Sequence, residues 1–356
     1  MKKILLHRPP IGLSVLLLFV LFAGFLAGET PKNIQGNVSD KIPGRVAADK
    51  ERIIKTVRFL SEETFPRSTE PAKKEKTIDY LIRSISAAGL EAARSEFAIK
   101  QILSDTDFVT RAAPGKDKLA IELQSYTFTN IHALKKGKTD KRIIVAAHYD
   151  AVPQSPGADD NASAVAVLIE LAYLLKETPE MNCDVEIVSY DLEENGLYGS
   201  RYHAKKLKSQ KIDVACMLCM DMVGYYSDKE NSQNYPVGGM SLLYGTTGDF
   251  LVMIGRAQDT KLLADAHKAF RETTTLKIIP LPAPKGLDML LSRSDHAPFW
   301  GEGYPALFFT DTADFRNKNY HETTDTWDTL DYDRLVQVPV GLYHVILAVD
   351  TAQTTK

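Results

Sequence analysis

Short runs of apolar residues alternate with amphipathic segments from residue 141 onward. Buried runs of four to eight residues are typical of strands covered on both faces, and the segments between them have helical periodicity. The alternation predicts βαβ units and an α/β fold, with a mixed, mostly parallel central sheet and helices on both faces. The predicted strands are Ile143–Ala147, Val185–Tyr190, Val214–Met220 and Ala306–Thr310, and the predicted helices are Ala162–Lys176, Gly199–Lys208 and Lys261–Glu272.

The pattern is less regular outside this core of the chain. Helical periodicity recurs before it at Ala48–Leu60 and Lys73–Ala88, while strand-like stretches at Ala120–Leu123 and Tyr126–Thr129 permit no firm assignment. A last amphipathic segment, Asp333–Val349, contains Pro339, which predicts a kink or a late helix start. Loops at the rim of the sheet are predicted for Tyr225–Gly239 and Ile279–Gly286.

Residues 1–28 differ from the rest of the chain. They contain no acidic residue, begin with basic side chains and continue with 18 uncharged residues, Ile11–Gly28. This composition is typical of a secretory signal peptide, but 18 apolar residues also reach the lower limit for a membrane anchor. Both alternatives stay open, and both place the remainder outside the cytoplasm, as a periplasmic or secreted protein. A polar linker is predicted for residues 29–45 and one folded domain for residues 46–356.

Charge and cysteine content exclude several classes of protein. The chain has 43 basic and 46 acidic residues, a net charge of −3, and therefore lacks the basic footprint of a nucleic-acid-binding protein. Its three cysteines cannot form a disulfide framework. Cys216 and Cys219 lie within an apolar run and lack the second pair that a zinc ribbon needs, so they are predicted as buried strand residues.

Polar side chains directly follow all four predicted strands. In chain order these are His148 and Asp150, then Glu193 and Glu194, then Asp221, and finally Asp311. Because ligands bind outside the carboxyl ends of strands in open α/β sheets, we expect these side chains to converge. Asp160 opens the next helix close after the first strand and can reach the same crevice, whereas Asp159 is expected to cap that helix. His296 and His321 lie in acid-rich segments that bracket the last strand.

Six segments carry a resemblance to a known family. In order they are HYDAVP, GADDNASA, DLEENGLYGSR, CMDMVG, SDHAPFWGEGYPALFF and YHETTDTWDTL. Together they resemble the zinc exopeptidases of metallopeptidase family 28, which include dizinc leucyl-type aminopeptidases, glutamate carboxypeptidases and glutaminyl cyclases. The resemblance covers roughly residues 46–350, with weaker similarity at FPRS near Phe65 and TNIHA near Asn130. It implies a zinc-exopeptidase, phosphorylase/hydrolase-like architecture.

The resemblance also implies a set of metal ligands. His148 and Asp221 match the ligands of one zinc ion, Glu194 and His321 match those of a second, and Asp160 matches the carboxylate that bridges both. A set of histidines and carboxylates suits zinc. Two zinc ions are therefore the expected cofactors.

The remaining residues of the pattern have supporting roles in the family. Glu193 matches the general base, and Asp150 matches the aspartate that orients the first histidine ligand. Asp325 is a candidate for a similar supporting role. Asp295 and His296 belong to a segment near the family's site, but their roles stay open.

The resulting hypothesis is an exported zinc aminopeptidase, a hydrolase that acts on peptides with a free N-terminus. A glutaminyl cyclase with one zinc ion is the first alternative. A carboxypeptidase for acidic C-termini is the second and requires a cationic pocket, for which Arg201 and Arg293 are the nearby candidates. A non-catalytic module that has lost its metals is the third. Side-chain preference and oligomeric state do not follow from the sequence, and membrane attachment depends on whether residues 11–28 are cleaved.

Overall fold

The computed structural model describes residues 46–99, 127–236, 238–284 and 291–354. The strands in these residues are β1 (Ala92–Ala98), β2 (Thr127–Lys135), β3 (Thr139–His148), β4 (Cys183–Tyr190), β5 (Val214–Met220), β6 (Phe250–Arg256), β7 (Lys277–Ala283) and β8 (Ala306–Thr310). The α-helices are α1 (Lys50–Arg58), α2 (Pro71–Ala87), α3 (Ala164–Lys176), α4 (Tyr198–Ser209), α5 (Met240–Tyr244), α6 (Thr260–Arg271), α7 (His296–Gly301), α8 (Tyr332–Leu335) and α9 (Gln337–Thr351).

The strands form one mixed sheet in the order β1-β2-β4-β3-β5-β8-β6-β7. The four central strands β4, β3, β5 and β8 are parallel, whereas β2 and β6 run antiparallel to the central strands that they flank. The predicted mixed, mostly parallel sheet is therefore confirmed. Parallel strands end at the same edge, so the residues that follow β3, β4, β5 and β8 are brought together.

Helices cover both faces of the sheet, as predicted. Along β3, Ile143, Val145 and Ala147 pack into the larger apolar core, while Ile144 and Ala146 pack into a second core on the opposite face. Helices α1, α2, α3, α6 and α9 contribute to the first core, and α4 and α7 contribute to the second. Burial on both faces explains why these strands are continuous apolar runs rather than alternating ones.

The prediction of a loop at Ile279–Gly286 is wrong in its described part, because β7 occupies Lys277–Ala283. Pro280 and Pro282 suggested a loop since proline cannot donate a backbone hydrogen bond. Strand β7 lies at the edge of the sheet, where proline is tolerated. The neighbouring strand β6 has no counterpart among the predicted elements.

The last helix, α9, begins only at Gln337, and Pro339 lies in its first turn. Of the two outcomes predicted from Pro339, a kink or a late start, the late start is therefore confirmed.

Three predictions fall outside the described residues. They concern the export segment at 1–28, the linker at 29–45 and the strand-like stretch Ala120–Leu123. Among the residues that are described, no helix combines the length and the apolarity that crossing a membrane requires.

Candidate metal centre

A first group of ligand-type side chains lies at the carboxyl edge of the central strands and consists of His148, Asp160 and Asp221. Nε2 of His148 is 3.4 Å from Oδ1 of Asp160 and 3.4 Å from Oδ1 of Asp221. His148 ends β3 and Asp221 directly follows β5, and these two strands are neighbours in the sheet. Parallel pairing thus places side chains 73 residues apart in the same crevice.

A second group consists of Asp160, Glu194 and His321. Nε2 of His321 is 3.1 Å from Oδ2 of Asp160 and 3.2 Å from Oε2 of Glu194. Asp160 therefore presents one carboxylate oxygen to each group. Its backbone lies in the irregular helical turn Ala158–Ser163 that precedes α3, and the peptide bond between Asp160 and Asn161 is cis.

The distances in both groups fit metal ligands better than hydrogen bonds. Charge-assisted hydrogen bonds measure about 2.8 Å, whereas two tetrahedral ligands at zinc–ligand distances of about 2.0–2.1 Å are about 3.3 Å apart. The four nitrogen–oxygen distances here lie between 3.1 and 3.4 Å. Nε2 of His321 is buried and has no aligned hydrogen-bond partner among the described residues. The donor set therefore fits zinc in both chemistry and spacing.

A third cluster, His132, Glu186 and His203, fails the same test. Nδ1 of His132 is only 2.7 Å from Oε1 of Glu186, which is a hydrogen-bond distance and too short for two ligands of one ion. Arg142 donates to the other oxygen of Glu186 at 2.9 Å, so the carboxylate is already paired with a cation. The hydroxyl of Tyr190 lies 2.9 Å from Nδ1 of His203. This cluster is therefore a buried hydrogen-bond network.

Three carboxylates of the centre, those of Asp160, Glu193 and Glu194, have shifted pKa values. Burial raises the pKa of Glu193 well above its ordinary value, and the nearby charge of Asp221 adds to this shift. Burial and the charge of Asp160 raise the pKa of Glu194 to about 7. Burial also acts to raise the pKa of Asp160, but His148 and His321 outweigh it and lower that pKa. Burial is the main cause of both upward shifts, and neighbouring negative charge adds to it.

The two histidines show the complementary effect. Burial acts to lower the pKa of His148, but Glu193 and Asp221 outweigh it and raise that pKa well above its ordinary value. In His321, the carboxylates of Asp160 and Glu194 likewise outweigh burial and raise the pKa to about 10. Without a cation the centre thus retains protons on its histidines, which is the behaviour expected of a site with excess negative charge.

Asp150 connects two of the converging loops. Its carboxylate accepts the backbone N–H of Glu193 at 3.1 Å and that of Glu194 at 3.2 Å. Nδ1 of His148 lies 3.2 Å from the backbone oxygen of Asp150 and 3.4 Å from its Oδ1. One residue therefore orients the ring of His148 and fixes the backbone that carries both glutamates, which is the arrangement typical of the residues that support metal ligands.

Asp325 and Asp159 lie directly behind the first two groups. Oδ1 of Asp325 accepts the backbone N–H of Asp159 at 3.0 Å, and Oδ2 accepts that of Asp160 at 3.1 Å. Asp159 was expected to cap the following helix, but it makes no such bond; its carboxylate accepts the N–H of Gly224 at 2.9 Å and the amide of Asn317 at 2.8 Å. Asp325 therefore holds the backbone of Asp160, and Asp159 ties the same turn to Gly224 and Asn317.

Asp295 and His296 lie near the centre but belong to neither ligand group. Both are fully buried. Burial raises the pKa of Asp295 to about 7, and Asp150 and Asp221 add to the shift. Burial lowers the pKa of His296 to about 3, its ring stacks on Phe308 at 4.4 Å, and its Nε2 lies 2.9 Å from the carbonyl oxygen of Leu291. His296 is therefore a neutral core residue.

Tyr320 is a candidate functional residue that sequence reasoning missed. Its ring stacks on that of His321 with centroids 3.8 Å apart. Burial raises its pKa, and the charges of Asp160, Asp221 and Glu194 add to this shift. Its position immediately before a proposed ligand was the only signal that could have found it, since a single tyrosine forms no pattern.

Sequence comparison relates the chain to known proteins. The model of peptidase family M28 matches residues 130–345. The uncharacterized protein YfbL of Escherichia coli is 35% identical over 298 residues, which cover 78% of this chain and 88% of YfbL. The protein named probable lipoprotein aminopeptidase LpqL, from Mycobacterium tuberculosis, is 30% identical over 256 residues, which cover 65% of this chain and 49% of LpqL.

Solved structures share the fold at lower identity. An aminopeptidase from Aneurinibacillus sp. strain AM-1 superposes with a TM-score of 0.62 at 18% identity, covering 85% of this chain and 94% of that one. A glutaminyl cyclase from Porphyromonas gingivalis gives a TM-score of 0.58 at 16% identity, covering 86% and 99%. The family match covers more than half of the chain and agrees with the fold and with the convergent histidines and carboxylates. This chain therefore belongs to peptidase family M28.

Proposed function

We propose that this chain is an exported dizinc aminopeptidase that hydrolyses the N-terminal bond of peptides. The observation that carries the proposal is the position of Asp160, which lies between two groups of zinc-type ligands at ligand spacing. Residues 46–356 would form the single catalytic domain, after an export segment at 1–28 and a linker at 29–45.

In this proposal each residue has one role toward the metals. His148 and Asp221 would hold one zinc ion, Glu194 and His321 would hold the other, and Asp160 would serve both. Zinc supplies Lewis acidity, which lowers the pKa of a water molecule and polarises a carbonyl group. The side chains of the first group are the more deeply buried of the two, with His148 only 1% exposed against 33% for His321.

The charge of the centre supports two ions rather than one. Five carboxylates converge there, from Asp150, Asp160, Glu193, Glu194 and Asp221. A single dication would leave most of this negative charge unbalanced in a buried site, which is costly, whereas two dications offset most of it.

Glu193 is proposed as the general base. Its side chain is buried next to both ligand groups but belongs to neither, so its carboxylate is available to take a proton. Burial raises its pKa well above the ordinary value, and this direction makes a carboxylate a stronger base. The carboxylate takes a proton from water and passes it to the leaving amine, while Asp150 fixes the Glu193 backbone through the N–H bond at 3.1 Å.

Tyr320 would contribute a neutral hydrogen-bond donor. Its raised pKa keeps the hydroxyl protonated in the working pH range. A fixed donor beside the reacting carbonyl can stabilise the negative charge that develops on its oxygen.

The names of relatives support aminopeptidase activity and export. LpqL is named as a lipoprotein aminopeptidase, and lipoproteins are exported. The Aneurinibacillus structure is that of an aminopeptidase.

Glutaminyl cyclase activity is the second candidate, because solved glutaminyl cyclases share this fold. That activity would require only one zinc ion. The carboxypeptidase alternative is less favoured, because one of its two candidate cations, Arg293, is ion-paired with Asp314 at 2.8 Å.

A hydrolysis screen tests the proposal. The purified protein is given peptides with a free N-terminus, a blocked N-terminus or an N-terminal glutamine, and its metal content is measured in parallel. Release of the first residue from free N-termini only, with about two zinc ions per chain, is expected. One zinc ion with formation of a pyroglutamyl product would overturn the peptidase assignment, and a protein without zinc would indicate a non-catalytic module.

Sequencing the N-terminus of the mature protein tests whether residues 1–28 are removed.

A further inference from the structure

Arg67 lies behind the two ligand groups with an exposed fraction of 1%. It belongs to the FPRS segment, for which the proposed reaction has no use. Within the described chain, all of its hydrogen bonds go to backbone carbonyl oxygens and none goes to a carboxylate. The acceptors are the carbonyl oxygens of Tyr149 at 2.6 Å, Pro156 at 2.6 Å, Gly157 at 2.9 Å, Leu60 at 3.1 Å and Asp160 at 3.4 Å.

Four of these five carbonyls lie in the segment 149–160, which connects two of the proposed zinc ligands. Tyr149 directly follows His148, and the last acceptor is the carbonyl of Asp160 itself. The residue after Arg67 binds the same segment, since Oγ of Ser68 accepts the backbone N–H of Ala151 at 2.8 Å. Arg67 and Ser68 thus hold the segment from its beginning to its end.

The chemistry of this environment selects arginine. A buried cation without a carboxylate partner must replace its lost hydration by other hydrogen bonds. The planar guanidinium has five N–H donors in a fixed fork, which matches the five carbonyl acceptors here, whereas a lysine ammonium has only three donors. Burial lowers the pKa of Arg67, and the charges of Asp160 and Asp150 act against this shift. The guanidinium is therefore placed in the negative field of the metal centre.

The loop is shaped to admit the guanidinium. Gly157 has a φ of +64°, and a Cβ at this position would lie 2.5 Å from Nη2 of Arg67 and 2.4 Å from the carbonyl oxygen of Asp160. Any side chain here would therefore displace either Arg67 or the backbone of a ligand. Glycine permits both the backbone conformation and the close approach.

We propose that Arg67, assisted by Ser68, is a positioning residue of the metal centre. Its guanidinium fixes the backbone of residues 149–160, so that His148 and Asp160 are held at ligand spacing before metal binds. Its charge also offsets part of the carboxylate repulsion in the metal-free site. This inference rests on the proposed zinc ligands, and it assigns to the FPRS segment a role in metal affinity rather than in contact with substrate.

The test compares two conservative variants in the full chain. Arg67→Lys keeps the charge but loses the planar guanidinium. Arg142→Lys is the control, because Arg142 is a partly buried arginine that pairs with Glu186, remote from the ligands. Zinc affinity is measured by competition with a chelator, and stability by urea unfolding of the metal-free protein. We expect Arg67→Lys to bind zinc about 10- to 100-fold more weakly than the wild type, and Arg142→Lys to bind zinc like the wild type.

Two results would overturn the inference. One is wild-type zinc affinity in Arg67→Lys, and the other is an equal loss of zinc affinity in Arg142→Lys. If Arg67→Lys does not fold, Ser68→Ala carries the test: loss of one hydrogen bond should weaken zinc binding about fivefold, and unchanged affinity would contradict the proposal. A wild-type protein that binds no zinc would instead refute the proposed function, so the two failures are distinguishable.

Discussion

The side-chain carboxylate of Asp325 accepts the backbone N–H of Asp160 at 3.1 Å, across a separation of 165 residues. Its other oxygen accepts the N–H of Asp159 at 3.0 Å. Replacing Asp325 by Ala leaves both buried N–H groups without an acceptor and frees the turn that presents Asp160. We expect about 10- to 100-fold weaker zinc binding, measured by competition with a chelator. Asp328→Ala, at an exposed position of the same loop, should not change zinc affinity; equal affinities in the two variants would contradict the expectation.

Glu193→Gln tests the proposed base while preserving the shape of the site. The amide cannot take a proton, so kcat should fall by about 10²- to 10⁴-fold. Zinc content should stay unchanged, because Glu193 belongs to neither ligand group. Peptide hydrolysis and metal content are measured on the same sample. Glu177→Gln, at an exposed position, serves as the control. Near-normal turnover in Glu193→Gln would remove Glu193 from the mechanism.

The unequal burial of the two groups predicts stepwise release of zinc. The side chain of His321 is 33% exposed, whereas that of His148 is 1% exposed. A chelator should therefore remove the ion held by His321 faster, and metal content followed over time should fall in two phases. His321→Ala should retain one zinc ion per chain. Two ions per chain in that variant would show that His321 is not a ligand.

Tyr320→Phe tests the proposed donor beside His321. Loss of the hydroxyl should lower kcat by about 10²-fold, the effect of removing one donor to a developing oxyanion. The stacked ring remains, so zinc content should not change. Steady-state kinetics and metal analysis check both statements. Tyr332→Phe, whose hydroxyl donates to the carbonyl of Trp327, is a control for loss of a tyrosine hydroxyl elsewhere.

His296 should make stability depend on pH. Burial lowers its folded pKa to about 3, below the unfolded value of about 6.5. The unfolded state therefore binds more protons between these values, so stability falls as pH falls, by about 1.4 kcal/mol per pH unit from this residue. Between about pH 7.5 and about pH 5.5, the free energy of unfolding of His296→Gln should fall by about 1 kcal/mol less than that of the wild type. Urea unfolding at both pH values measures the difference. Equal losses of stability in the two proteins would show that the pH dependence comes from residues other than His296.

The central part of the fold follows from the sequence because strands buried on both faces produce continuous apolar runs. Strands β5 and β8 have the bounds that were predicted for them. The residues that follow these runs were predicted to converge, and His148, Glu194 and Asp221 do so because parallel strands end at one edge. Asp311 was expected to join them but belongs to neither ligand group; its carboxylate accepts the backbone N–H groups of Tyr225 and Ala313. His321 was assigned by family resemblance rather than by pattern, since it lies in a loop after the last strand.

Other features could not be predicted from local patterns. Strand β7 contains two prolines, and only its place at the edge of the sheet makes them acceptable. The bonds of Arg67 go to backbone carbonyls, which every residue possesses, so no partner residue type marks them in the sequence. The carboxylate of Asp159 binds Gly224 and Asn317 from distant segments, which a capping argument based on neighbours cannot foresee.

Asp160 presents its two carboxylate oxygens to different ligand groups. In the proposed dizinc site, the two ions therefore cannot bind independently. The first ion would order a carboxylate that the second would also use, while repulsion between the two cations would act in the opposite direction. By thermodynamic linkage, each ion changes the affinity of the other by the same factor. Metal loading is then a property of the pair, and a single dissociation constant would not describe it.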